Sequence, residues 1–118
     1  MSRELDALVE KHIFGRDPSY YDCPHFDEKG RMLSFCICPE MPHRSSDPTS
    51  AWPIIDHLTA ELLLTFRIQI TKPGEATVEC WGPYSAPLTE SGPVAEAICM
   101  CGLAAMGVDV VKELAAQG

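Results

Sequence analysis

Four residues with zinc-ligand side chains lie close together in the first third of the chain. Cys23 and His25 form a C-x-H pair, and Cys36 and Cys38 form a C-x-C pair. Thiolate and imidazole are the ligands that structural zinc sites use, so these four side chains could close a tetrahedral site. Their spacings differ from the commoner C-x₂-C knuckle, so free cysteines in a strand and a loop, with an exposed histidine, are the alternative interpretation.

A second polar segment leads into a predicted helix. Arg44, Ser45, Ser46 and Asp47 supply a cation, two hydroxyls and a capping carboxylate, and Trp52 follows within the helix. Free backbone N–H groups at a helix N-terminus attract anions, so the segment predicts a site for a phosphate or carboxylate. The alternative is a capping segment in which the polar residues serve the helix and Trp52 packs in the core.

The anion-site hypothesis makes a specific prediction for Arg44. Replacing Arg44 with alanine should weaken anion binding by about 1.5–3 kcal/mol through the lost charge-assisted hydrogen bond. Folding stability should change little, whereas unfolding of the variant would reduce the segment to a helix cap.

Catalytic chemistry has weaker support in the sequence. Cys23 could meet His25 or His43, but no family signature frames a thiol nucleophile, and no glycine-rich phosphate loop is present. A hydrolase is therefore the weakest of the functional hypotheses. The remaining cysteines, Cys80, Cys99 and Cys101, are expected to fill the core. No disulfide is expected between Cys99 and Cys101, because their side chains point in different directions on one helix.

The elements that must position these residues are three helices and a pair of strands. Helical apolar spacing predicts helices over 3–13, from Pro48 to near Thr59, and from Pro93 to 105, the last of them the most buried. A short terminal helix or a fraying tail follows Gly107.

Period-2 alternation predicts strands over 62–71 and 76–81, joined by a turn at Pro73 and Gly74. A long excursion over 16–50, with one short strand over 32–38, should be ordered against this antiparallel sheet. Six residues are predicted to be buried in the core: Leu64, Phe66, Ile68, Val78, Ile98 and Cys101.

Length and composition predict one α+β domain over residues 1–118. A net charge of −8 disfavours general nucleic-acid and membrane binding, and no stretch has the roughly 20 apolar residues of a membrane helix. The acidic N-terminal residues are unlike a signal peptide, so a cytosolic location with reduced cysteines is expected.

The order of these segments resembles the phage ABA sandwich domain family. The matching stretches are 3–9, 45–47 with Ala51-Trp52, the paired strands, and 93–105, and Ser46 stands where the family has threonine. The resemblance implies a small β-sheet sandwiched between helices and a phage or prophage origin, hence the cytosol of a bacterial host. It implies no established activity.

The leading functional hypothesis is a non-enzymatic binding protein that sequesters a small anionic, nucleotide-like molecule or blocks a host protein. The alternative is a zinc-stabilised structural or interaction module built on the four ligands described first. Elemental analysis separates the two, and the sequence leaves a homo-oligomer open.

Overall fold

The computed structural model describes residues 3–17, 41–83 and 86–117 of the chain. Within these ranges the chain forms four α-helices and three β-strands. In chain order they are α1 (Arg3–His12), α2 (Pro48–Leu62), β1 (Thr65–Lys72), β2 (Glu75–Trp81), β3 (Leu88–Pro93), α3 (Val94–Ala105) and α4 (Val110–Gln117). This combination confirms the predicted α+β class.

The three strands form an antiparallel sheet in the order β1-β2-β3. The predicted turn at Pro73 and Gly74 joins β1 to β2, and Gly74 has a φ of 80°, which favours glycine. The register places Ile68 opposite Val78, and Val78 opposite Glu90. The central strand β2 therefore holds both neighbours in place.

One face of the sheet packs against the helices. Alternate residues of β2 are buried, namely Ala76, Val78 and Cys80, and the residues between them are half-buried. Helix α3 covers this face by packing on β2 and β3, α2 packs on α3 and reaches β1, and α1 packs on α3. The prediction that α3 is the most buried helix is confirmed among the described residues, since seven of its twelve residues are buried.

Most of the predicted core is confirmed. Leu64, Val78, Ile98 and Cys101 are buried. Phe66 and Ile68 pack against the core but are only half-buried, because β1 lies at one edge of the three-stranded sheet.

Helix α3 approaches its neighbours closely at Gly102. A Cβ atom at this position would lie 2.9 Å from Cγ2 of Ile54 and 3.1 Å from Cδ1 of Ile13. The missing side chain therefore lets α3 pack closely against both α2 and the end of α1.

Two element boundaries differ from the sequence predictions by more than one residue, and one strand was not predicted. Helix α2 continues to Leu62 and ends at Leu63, which adopts the left-handed conformation with φ 56°. The predicted start of β1 at Leu62 is therefore wrong, and Leu62 is exposed. The third strand, β3, was not predicted because Gly92 and Pro93 are typical of a link between elements.

Residues 18–40, with the predicted strand over 32–38, lie outside the described residues. The described residues 41–45 of the predicted excursion are hydrogen-bonded to α1. No helix in the described part of the chain has the length and apolar character needed to cross a membrane.

Candidate functional site

Helix α1 presents two buried carboxylates to the segment that precedes α2. Asp6 and Glu10 are 1% and 0% exposed. They are four residues apart, so they lie on the same face of the helix, one turn from each other. Buried carboxylates require paired charges and hydrogen bonds, and both of these residues have them.

Arg44 is the partner of Glu10. Its Nε donates to Oε1 of Glu10 over 2.8 Å, and its Nη1 donates to the backbone carbonyl of Ser50, also over 2.8 Å. The guanidinium lies over the ring of Phe14, 4.3 Å from the ring centroid. These contacts surround the charge of Arg44 with groups of its own chain, and an external anion would have to compete with Glu10.

Asp6 holds the same segment one turn earlier in α1. The backbone N–H of Ser45 donates to its Oδ1 over 2.8 Å, and Arg3 donates to its Oδ2 over 2.7 Å. Arg3 also donates to the carbonyls of Met41 and Pro42. Residues 41–45 are therefore tied to α1 by a continuous network of charged hydrogen bonds.

Asp47 caps α2, as the sequence predicts. Its Oδ1 accepts the backbone N–H of Thr49 over 3.1 Å, and its Oδ2 accepts the hydroxyl of Ser50 over 2.9 Å. The carboxylate of the chain itself thus lies at the N-terminus of α2, where a bound anion would have to lie.

Trp52 points outwards from the next turn of α2. Its side chain is 53% exposed. Together with Pro48, Thr49 and Pro53 it lines an open pocket of about 440 Å³. The alternative that placed Trp52 in the core is therefore wrong.

The five predicted ligand-binding residues fall into two groups. Arg44 and Ser45 are buried against α1, whereas Ser46, Asp47 and Trp52 are exposed at the start of α2. Sequence reasoning did not identify the two buried acids of α1 as the partners of this segment. The available signal was two carboxylates four residues apart, directly beside the apolar stripe of α1.

The outer face of α2 combines apolar and acidic side chains. Trp52 is exposed near its start, and Asp56, four residues later, is exposed one turn further along the same side of the helix. No lysine or arginine occurs within α2. We call this surface, formed by Pro48, Thr49, Trp52 and Asp56, the α2 face.

The predicted zinc ligands Cys23, His25, Cys36 and Cys38 all lie outside the described residues, so the zinc hypothesis stays a prediction. Within the described ranges, no group of three or more Cys, His, Asp or Glu side chains could hold a metal ion. The other three cysteines are buried free thiols, as predicted: Cys80, Cys99 and Cys101.

Comparisons with models of protein families, with curated proteins and with solved structures found no match to this chain. The resemblance to the phage ABA sandwich domain family therefore stays a prediction.

Proposed function

We propose that the chain is a non-enzymatic binding protein that recognises a partner protein through the α2 face. The observation that carries the proposal is the exposure of Trp52 beside the open pocket at the start of a well-packed helix. Tryptophan is enriched among the residues that dominate binding energy at protein interfaces. The opposite side of α2 is anchored in the core by Ile54 and Leu58, so the α2 face is held rigidly.

Charge favours a partner with a basic rim around an apolar centre. The chain has a net charge of −8, and the α2 face carries Asp56, with no lysine or arginine in the helix. Complementary charge speeds association and excludes acidic partners. In the biological setting that the family resemblance implies, such a partner would be a host protein in the bacterial cytosol, blocked by a phage or prophage product.

The small-anion form of the hypothesis has less support than the protein-partner form. Arg44 would have to leave Glu10, with which its Nε makes a 2.8 Å hydrogen bond. The carboxylate of Asp47 would also have to leave the N-terminus of α2. Both changes would place the bound anion near carboxylates, those of Glu10 and Asp47, that had lost these partners.

Affinity capture from a bacterial lysate tests the proposal with three tagged baits. The wild-type chain is compared with Trp52→Ala and with Ile70→Ala, a matched control that removes another exposed apolar side chain, 62% exposed on β1. Quantitative mass spectrometry should find a protein with a basic surface that the wild type and the Ile70 variant retain and the Trp52 variant loses. Equal recovery of every protein by the three baits would contradict the proposal, provided circular dichroism shows all three folded.

A further inference from the structure

Two cysteine thiols meet in the core between the central strand and the central helix. Cys80 on β2 is 1% exposed and Cys101 on α3 is 0% exposed. Their sulfur atoms are 3.1 Å apart, and the thiol of Cys101 donates to the sulfur of Cys80. The Cys80 thiol donates in turn to the backbone carbonyl of Cys101 over 3.8 Å.

We propose that Cys80 and Cys101 are a redox-sensitive pair that hydrogen peroxide converts to a disulfide linking β2 to α3. A disulfide requires a sulfur separation of about 2.05 Å, so the two sulfur atoms need to approach by only about 1 Å. Small rotations of both side chains supply that distance. Both thiols are buried, which excludes larger disulfide reagents. Hydrogen peroxide is small and uncharged, so we name it as the oxidant that reaches them.

The reaction proceeds in two balanced steps. The sulfur of Cys80 attacks one oxygen of hydrogen peroxide, the O–O bond breaks, and a sulfenic acid and one water form. The sulfur of Cys101 then attacks the sulfur of Cys80, the S–O bond breaks, and the thiol proton leaves with the hydroxide as a second water. Two thiols lose two electrons in total, and one peroxide is reduced to two waters.

The hydrogen bond between the thiols assigns the attacking sulfur. Donation from Cys101 lowers the pKa of Cys80, against the opposing effects of burial and of the neighbouring Glu79. The same contact with Cys80, together with burial, raises the pKa of Cys101. Cys80 is therefore the thiol that ionises and reacts first, and Cys101 is the thiol that resolves the sulfenic acid.

Cys99 provides a matched control within the same helix. It is 0% exposed, like Cys101, but the charges that act on it include Asp6 and Arg44, which belong to the α1 side of α3. Two residues apart in a helix, Cys99 and Cys101 point in different directions. Cys99 should therefore take no part in the disulfide.

Peptide mapping of the full chain after treatment with hydrogen peroxide tests the proposal. Cleavage after glutamate separates the two cysteines, because Glu90 and Glu96 lie between them. Peptide 80–90 should be recovered linked to peptide 97–113, with the loss of two hydrogen atoms and reversal by dithiothreitol. The link should persist in Cys99→Ala and disappear in Cys101→Ala.

A thermal melt of the wild-type chain gives a second readout that does not depend on how the variants fold. A bond between residues 21 positions apart restricts the unfolded chain, so the oxidised chain should melt about 5 °C or more above the reduced chain. Recovery of Cys80 as a free thiol or a sulfinic acid, or its linkage to any cysteine other than Cys101, would overturn the proposal.

Discussion

Arg44 lies between the carboxylate of Glu10 and the ring of Phe14, with about one-tenth of its side chain exposed. Its polar neighbours in the sequence made it a candidate ligand residue, but its contacts assign it to the fold. Removing one partner of a buried pair leaves the other charge poorly compensated, which is far more destabilising than losing a surface ion pair. This reverses the sequence-based expectation of little change in stability.

Replacing Arg44 with alanine should lower the free energy of unfolding by about 3–5 kcal/mol. Urea denaturation followed by circular dichroism measures the change. Arg16→Ala is the matched control, because Arg16 is 49% exposed and its Nη1 lies 3.9 Å from the same Glu10. The control should lose less than about 1 kcal/mol. Equal losses in the two variants would contradict the assignment of Arg44 as the structural partner of Glu10.

Cys99 makes the stability of the chain sensitive to alkaline pH. Burial, with a smaller contribution from Asp6, raises the pKa of its thiol from 9.0 to about 12. Between these values the unfolded chain loses the proton and the folded chain keeps it. Stability is therefore fully present below pH 9 and falls as the pH rises towards 12, with a slope of about 1.4 kcal/mol per pH unit from this group.

Urea titrations at several pH values between 9 and 12 check this prediction. Cys99→Ala should show a shallower decline than the wild-type chain over the same range, because the substitution removes this thiol and leaves every other side chain in place. Parallel declines would show that Cys99 does not contribute to the alkaline loss of stability.

At the scale of elements, the contact of α3 with α2 depends on Gly102. Alanine would gain about 1 kcal/mol in helix propensity, but its Cβ would lie 2.9 Å from Cγ2 of Ile54. That methyl group is on a β-branched side chain with little rotamer freedom in a helix. Overpacking should therefore outweigh propensity, and Gly102→Ala should lose about 1–2 kcal/mol of stability.

A second substitution tests the cause of that loss. Ile54→Leu removes the Cγ2 methyl group that the new Cβ at position 102 would meet. The double variant should therefore recover part of the stability lost by Gly102→Ala. Strictly additive effects, or a stabilised Gly102→Ala variant, would show that the close approach of α2 and α3 does not limit this position.

Sequence patterns predicted the elements with regular periodicity and missed those without it. The alternation of Ala76, Val78 and Cys80 located β2 because one face of that strand packs on α3. Strand β3 has no such alternation of apolar residues, and its place in the sheet depends on pairing with β2. The pairing of Arg44 with Glu10 spans 34 positions of sequence, so local spacing could not predict which candidate site residues the fold would bury.

At the scale of the whole molecule, the described part of the chain directs its paired buried charges inwards and its α2 face outwards. The buried network of α1 fixes the segment that leads into α2, and the core fixes the inner side of that helix. Trp52 is thereby presented to solvent by a rigid element, which limits the entropy lost when a partner binds.

Titration calorimetry with the purified partner, once it has been captured, tests the central claim most directly. The affinity of Trp52→Ala should be at least about 30-fold weaker than that of the wild-type chain, because a central tryptophan contributes about 2 kcal/mol or more at an interface. Ile70→Ala, which removes an exposed apolar side chain from β1, should bind as the wild type does. A Trp52 variant that is folded and binds with wild-type affinity would contradict the assignment of the α2 face as the binding surface.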